Sequence, residues 1–410
     1  MHFDPSDPRW VVDPLPLFDE LREAAPVHQV PDGYWVLSRH ADCLGVLRDR
    51  RASTDSLHVD PERAPRGFRA SRRDVLRESV LAGGPDPRPF LFRDPPDHTR
   101  LRGLVQRAFT PRTVARLEAF VTEETDRLLD AALDAGTFDA VASLAWPLPV
   151  AVICELLGIP ASDHEEFKAT SAALARGLDP EFLLPPEATA ARDAALGHFA
   201  AYFAGLFELR RRAPGDDLLS ALVAAHDGAD RLSDVELLST AILLLVAGHE
   251  TTVNLLSGGA LALARDAASQ EAWRNDGALD RTAPDELLRL VSPVQLTGRT
   301  LLEPMRAGGV DLEAGTFVML LLGGANRDPA AFADPAALRL DREPNPHLGF
   351  GFGLHHCLGA PLARLEARVA FRRLLDRTRA FGLAGDGALR YRPNLVLRGL
   401  ESLEVTGVAA

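Results

Sequence analysis

The chain has 410 residues, 46% of them hydrophobic and 25% charged, with a formal net charge of −13. This is a globular composition with ample core material, and its acidity argues against a nucleic-acid partner. Lys168 is the sole lysine, which rules out a phosphate loop ending in Gly-Lys and leaves a Schiff-base enzyme one candidate amine.

Cys43, Cys154 and Cys357 form a sparse, odd set without Cys-x-x-Cys spacing. Neither a disulfide framework nor a structural zinc site is expected, and a reducing cytoplasm suits them. The start, Met-His-Phe-Asp-Pro, carries no signal stretch. The strongest apolar run, 241–247, falls well short of the roughly 18 residues of a membrane span. With no repeats and no linker, residues 1–410 read as a single domain, mainly α with small β-sheets (α+β), soluble and monomeric.

Tyr34 to Leu37 predicts a strand, and Gly83-Gly84-Pro85-Asp86-Pro87-Arg88-Pro89 a loop. A second breaker cluster spans 177–186. Ser233-Asp234-Val235-Glu236 is a capping box, opening a helix that runs to about Arg265. Its middle, Ala247-Gly248-His249-Glu250-Thr251-Thr252, interrupts the apolar pattern. Ala247, Gly248 and Thr251 share one helical face, where small residues leave room for a diatomic molecule and a hydroxyl can bond it; Glu250 beside them can relay protons from solvent. The alternative is a solvent-facing kink. A zinc-protease reading fails because Val253 stands where the second histidine belongs. Pro284 and Asp285 mark another helix start, on which Glu286 and Arg289 can form an ordinary surface ion pair.

Near the C-terminus, Phe350-Gly351-Phe352-Gly353-Leu354-His355-His356-Cys357-Leu358-Gly359 places one cysteine in a glycine-hinged loop before a helix-forming run. Backbone N–H groups at a helix start favour a thiolate, the form a haem iron takes from an axial cysteine. A buried free cysteine is the other reading. Histidine at 356 excludes a dinucleotide fingerprint, and three adjacent ligands without a fourth exclude tetrahedral zinc.

Taken together, these segments resemble the cytochrome P-450 family, in particular its soluble bacterial members. Phe350-x-x-Gly353-x-His355-x-Cys357-x-Gly359 matches the haem-thiolate signature, and Ala247-Gly248-x-Glu250-Thr251-Thr252 the oxygen-activation motif. Glu286-x-x-Arg289 with Arg342 resembles a buried Glu–Arg–Arg network, with Asn326-Arg327-Asp328-Pro329 between them. The resemblance implies haem b (iron protoporphyrin IX) with Cys357 as metal ligand, lined by Phe350, Gly351, Gly359, Ala247 and Gly248. His355, His98, Arg102 and Arg299 would meet its propionates, and Glu250 with Thr251 would deliver protons while dioxygen is activated. By the same analogy Phe90, Leu91, residues 178–184, Leu243, Val294, Gln295, Leu296 and Val396 line a hydrophobic substrate pocket, with Gln295 as polar anchor; a core role is the alternative for each.

With no flavin or iron–sulfur motif, electrons are expected from a ferredoxin and its reductase. Arg364, Arg368 and Arg372 form a row that would receive the ferredoxin, or a plain solvated face. The implied activity is monooxygenation of a hydrophobic small molecule in bacterial specialised or lipid metabolism. The rivals are a silent scaffold recruiting a carrier protein, or a haem-based gas sensor.

Overall fold

In the computed structural model, residues 2–55, 57, 79–80, 82–180, 183–227 and 230–409 are described. The helices that position the site are α1 (His40–Arg48), α2 (Asp97–Ala108), α3 (Pro111–Ala135), α4 (Pro147–Leu157), α5 (Phe167–Arg176), α6 (Pro186–Arg212), α7 (Asp234–Ala264), α8 (Ala283–Val291) and α9 (Ala360–Arg377). The strands of the two larger sheets are β1 (Val27–Gln29), β2 (Trp35–Leu37), β3 (Ala52–Ser53), β4 (Thr137–Asp139), β5 (Thr297–Leu301), β6 (Phe317–Leu320), β7 (Thr378–Leu383) and β8 (Glu404–Ala409). They form a five-stranded sheet in the order β1-β2-β6-β5-β3 and a three-stranded sheet in the order β7-β8-β4. Within the larger sheet only β2 and β6 run parallel, with Val36 opposite Met319.

Helix α7 begins as its sequence predicts. The Glu236 N–H donates to Ser233 Oγ at 3.3 Å, and the Ser233 N–H donates to Glu236 Oε2 at 2.9 Å, satisfying two donors that the helix start would orphan. At 31 residues it extends roughly 46 Å. It is long and apolar enough to cross a membrane, yet most of it is buried inside the protein. It packs against α4, α5, α8 and α9, which is where a helix apolar on all sides belongs.

The largest core cluster surrounds α7, joining Leu245, Val253 and Leu256 to Leu148 and Val152 of α4 and to Leu365 and Phe371 of α9. A second joins Phe3, Trp10, Phe18 and Tyr34 to Met319 and Leu395, and a third joins Cys43, Val46, Leu301, Val318 and Leu348. Each large apolar side chain so buried contributes about 1.5–3 kcal/mol.

Candidate active site

The cysteine loop takes its shape from its glycines. Gly351 and Gly353 have φ of +66° and +69°, a region where L side chains are strained, and a Cβ on Gly353 would meet the Leu47 carbonyl oxygen at 2.8 Å. The loop closes when the Cys357 N–H donates to Phe350 O at 2.9 Å, after which Gly359 caps α9. Asp285 accepts from Arg364 Nε at 2.8 Å, and that guanidinium lies 4.5 Å from the centroid of the Phe350 ring. The loop is thereby braced from α8 and α9.

The Cys357 surface is accessible, although protein closes around it on nearly every side. Burial pushes its thiol up, against the pull of the Gly359 and Ala360 N–H groups and of Arg102 and Arg364. The helix start pulls toward the thiolate as the sequence suggests, burial outweighs it, and coordination to a metal would hold the thiolate. Cys43 and Cys154 are buried, the latter pushed up to about 12, and neither offers an accessible thiol.

His98, Arg102, Arg299 and His355 gather beside this loop. The His98 and His355 rings lie 4.4 Å apart, and Arg102 Nη2 donates to His356 O at 2.7 Å. Both ring nitrogens of His98 and Nδ1 of His355 are buried without a hydrogen-bond partner; His355 Nε2 lies 3.2 Å from Thr54 Oγ1. Arg299 is 7% exposed, and among the described residues its guanidinium donates only to Thr297 Oγ1 and the Gly298 carbonyl. Burial pushes Arg299 down to about 10, His98 to about 4 and His355 to about 3. A buried cluster with this surplus of donors fits a dianionic group, and a soft sulfur donor next to it fits iron.

On α7, Ala247 is the one exposed residue between Val235 and Ala264, and Gly248 and Thr251 are partly exposed. The Thr251 hydroxyl donates to Ala247 O at 2.9 Å, leaving its lone pairs free to accept. The solvent-facing kink is excluded by the burial of the flanking residues. A Cβ on Gly248 would lie 2.6 Å from Ile153 Cδ1, so this glycine also admits α4. One expectation needs correction. Glu250 is not open to solvent: it is 2% exposed, accepts from Arg392 Nη1 at 3.0 Å and lies 3.6 Å from His249 Nε2. Burial raises its carboxyl, but His249 and Arg392 outweigh that and hold it below its ordinary value. His249 is itself fixed between Leu245 O and Ser171 Oγ. Arg392 has no sequence signal, standing 142 residues from its partner.

Glu286 and Arg289 form the buried network that the family resemblance implies, not an ordinary surface ion pair. Arg289 donates to both Glu286 oxygens at 2.7 and 2.8 Å, and Arg342 Nε adds a third bond at 3.0 Å. Asn326 links this network to the cysteine loop, accepting from the Leu348 N–H at 2.7 Å.

Of the pocket candidates, Leu243, Val294 and Val396 remain partly exposed, each bordering a different core cluster, and Leu91 is partly exposed too. Phe90 and Leu296 are core residues. The Gln295 amide nitrogen donates to Ser292 O, satisfying the end of α8 where Ser292 turns left-handed (φ 46°), while its Oε1 is buried without a partner among the described residues. In 178–184, residues 181 and 182 lie outside the described residues. The arginine row is occupied internally: Arg364 by Asp285, Arg368 by Glu118 and Arg372 by the Trp273 carbonyl. All three stay partly exposed.

An accessible cysteine in a braced loop, a cationic cluster beside it and a Thr251 hydroxyl on the central helix fit the class that the sequence resembles, the haem-thiolate proteins. The family profile described as Cytochrome P-450 matches residues 281–381. The chain is 37% identical to the polyketide biosynthesis cytochrome P-450 PksS of Bacillus subtilis, over 98% of both chains. It is 40% identical to the vitamin D(3) 25-hydroxylase of Pseudonocardia autotrophica, over 96% of this chain and 94% of that one. The crystal structure of P-450 BioI in complex with hexadec-9Z-enoic acid ligated acyl carrier protein superposes with a TM-score of 0.84 at 34% identity, covering 96% of this chain and 98% of that one. The chain belongs to the cytochrome P-450 family and is a monooxygenase.

Proposed function

We propose that the chain hydroxylates a hydrophobic small molecule of bacterial specialised or lipid metabolism. Haem b would be held by Cys357, and electrons would come from a ferredoxin and its reductase in the cytoplasm. The observation that carries this reading is the gathering of buried His98 and Arg299 with partly exposed Arg102 and His355 beside an accessible thiol. These four cationic or neutral donors, with Asp94 the carboxylate that acts on His98 and Arg299, suit the two propionates of an iron porphyrin. When bound, that group supplies the activation of dioxygen with electrons delivered from outside.

The protein's own residues do the rest. Cys357 gives up its proton to become the ligand, and the Gly359 and Ala360 N–H groups hold the sulfur's charge. Thr251 Oγ1 accepts a proton on the accessible face of α7 and passes it on. Glu250, held ionised by His249 and Arg392, relays a proton toward Thr251 only after taking one up itself, which costs it the Arg392 contact. Leu91, Leu243, Val294 and Val396 exclude water and orient an apolar substrate.

Relatives named for polyketide biosynthesis and for vitamin D(3) hydroxylation support an apolar substrate, and the acyl-carrier-protein complex supports a carrier-borne form of it. For the ferredoxin, exposed Phe352 and Leu354 flank the cysteine loop, with the Arg48 guanidinium 4.8 Å from the centroid of the Phe352 ring. The test is turnover of a library of apolar compounds with a surrogate ferredoxin and reductase. Oxygenated product supports the reading, and electron consumption without any oxygenated product across the library contradicts it.

A further inference from the structure

The hairpin formed by residues 391–400 carries two of the features above, and one buried acid holds it in place. Its legs are joined by the Arg392 N–H donating to Gly399 O at 2.9 Å and by a bridge between Tyr391 and Leu400. One leg sends Arg392 to Glu250, and the tip presents Val396, partly exposed at the edge of the second core cluster. On one side the tip is fixed to the segment after α8, because the Gln295 N–H donates to Val396 O at 2.9 Å.

On the other side the N–H groups of Leu395 and Val396 point the same way with no strand to receive them. Asp179, just beyond α5, receives both: Leu395 N–H donates to Oδ2 and Val396 N–H to Oδ1, each at 2.8 Å. The Asp179 side chain is 1% exposed and is paired with Arg176, which also reaches the Leu183 carbonyl. Burial pushes the carboxyl up, against these two N–H groups and Arg176. A buried charge is a costly way to tie off two backbone donors unless their position matters. Leu183 packs on the same core cluster as Leu395 and Val396, so both contacts join the α5–α6 connection to the hairpin tip.

We propose that Asp179 is a specificity-determining positioning residue, which pre-organises the Val396 wall of the substrate pocket so that bulky apolar ligands find it in place. This rests on the reading that Val396 lines that pocket. Removing the strut costs a large ligand its prepared wall and leaves a small one untouched.

The experiment compares haem-loaded wild type with Asp179→Ala and Asp179→Asn, the second keeping one acceptor oxygen in case the first folds poorly. Imidazole and econazole are titrated by their shift of the haem Soret band, and amide hydrogen exchange is followed at Leu395 and Val396. Asp179→Ala should weaken econazole about tenfold and imidazole less than about twofold, and speed exchange at both amides about tenfold, the scale of one lost hydrogen bond. Asp179→Asn should fall between. Unchanged exchange, both ligands weakening together, neither changing, or econazole tightening would each overturn the proposal. Failure of the haem reading would look different, since wild type itself would show no Soret shift; the exchange arm would then decide the positioning role alone.

Discussion

Two buried charged clusters flank the cysteine loop, and they are finished to different degrees. Around Glu286 every charge is answered. The carboxylate takes two bonds from Arg289, one from Arg342 and one from the Arg339 N–H, while Arg289 Nη1 is spent on the carbonyls of Asn326 and Pro335. Around Arg299, among the described residues, the arginine donates to a hydroxyl and its neighbour's carbonyl, and three buried histidine nitrogens have no partner. The first cluster is complete within the chain and serves the fold. The second keeps open donors, which is what the proposed haem site would need.

Mutations should separate the two. The largest effect is expected from Glu286→Gln, which strands buried arginines: a loss of about 3–5 kcal/mol of stability in the haem-free protein, read from urea unfolding. Arg299→Leu should behave in the opposite sense. The haem-free protein should be as stable as wild type or more so, because a desolvated cation is gone, while haem affinity falls by about 2–5 kcal/mol, read from haem transfer to a competing apo-globin. If Arg299→Leu unfolds the haem-free chain as Glu286→Gln does, the distinction between the clusters is lost.

A smaller effect tests the same cluster by pH. The folded chain holds His98 near 4 and His355 near 3, whereas the unfolded chain takes up those protons around the ordinary value of 6.5. Both folded values are depressed, so the unfolded state binds more protons in between, and the stability from this pair is full above about pH 6.5 and lost as pH falls toward 4 and below. In the haem-free protein a His98→Asn, His355→Asn double variant should therefore lose less stability than wild type between about pH 7 and 5. Identical pH slopes would place the histidines elsewhere in the electrostatics. Least disruptive is Thr251→Ala, which touches neither cluster. It should keep the haem spectrum and shift oxygen consumption from product toward peroxide; tightly coupled turnover in that variant would remove Thr251 from proton delivery.

What the sequence made legible follows from how local each signal is. The capping box at Ser233, the start of α8 at Pro284 and the glycine-hinged cysteine loop are set within a few residues, and the structure forms each of them. Residues named through the family resemblance, His98, Arg299 and His355, stand together with the burial and open donors that a propionate site needs. Partners chosen by tertiary packing were not legible. No pattern marks Arg392 as the counter-charge of Glu250 or Asp179 as the acceptor for the hairpin tip. For the same reason Gln295 was only half legible: the end of α8 claims its amide nitrogen, which no local pattern signals, while its Oε1 stays open. The small size of Gly248 is likewise explained only once Ile153 is seen against it.

The claim on which everything else depends is that Cys357 is the thiolate ligand of a bound haem. The reduced, carbon-monoxide-bound absorption spectrum of wild type and Cys357→Ala tests it directly. The account predicts the long-wavelength thiolate Soret band in wild type and its disappearance in the variant. A wild-type protein without that band, or a variant that keeps it, would contradict the account.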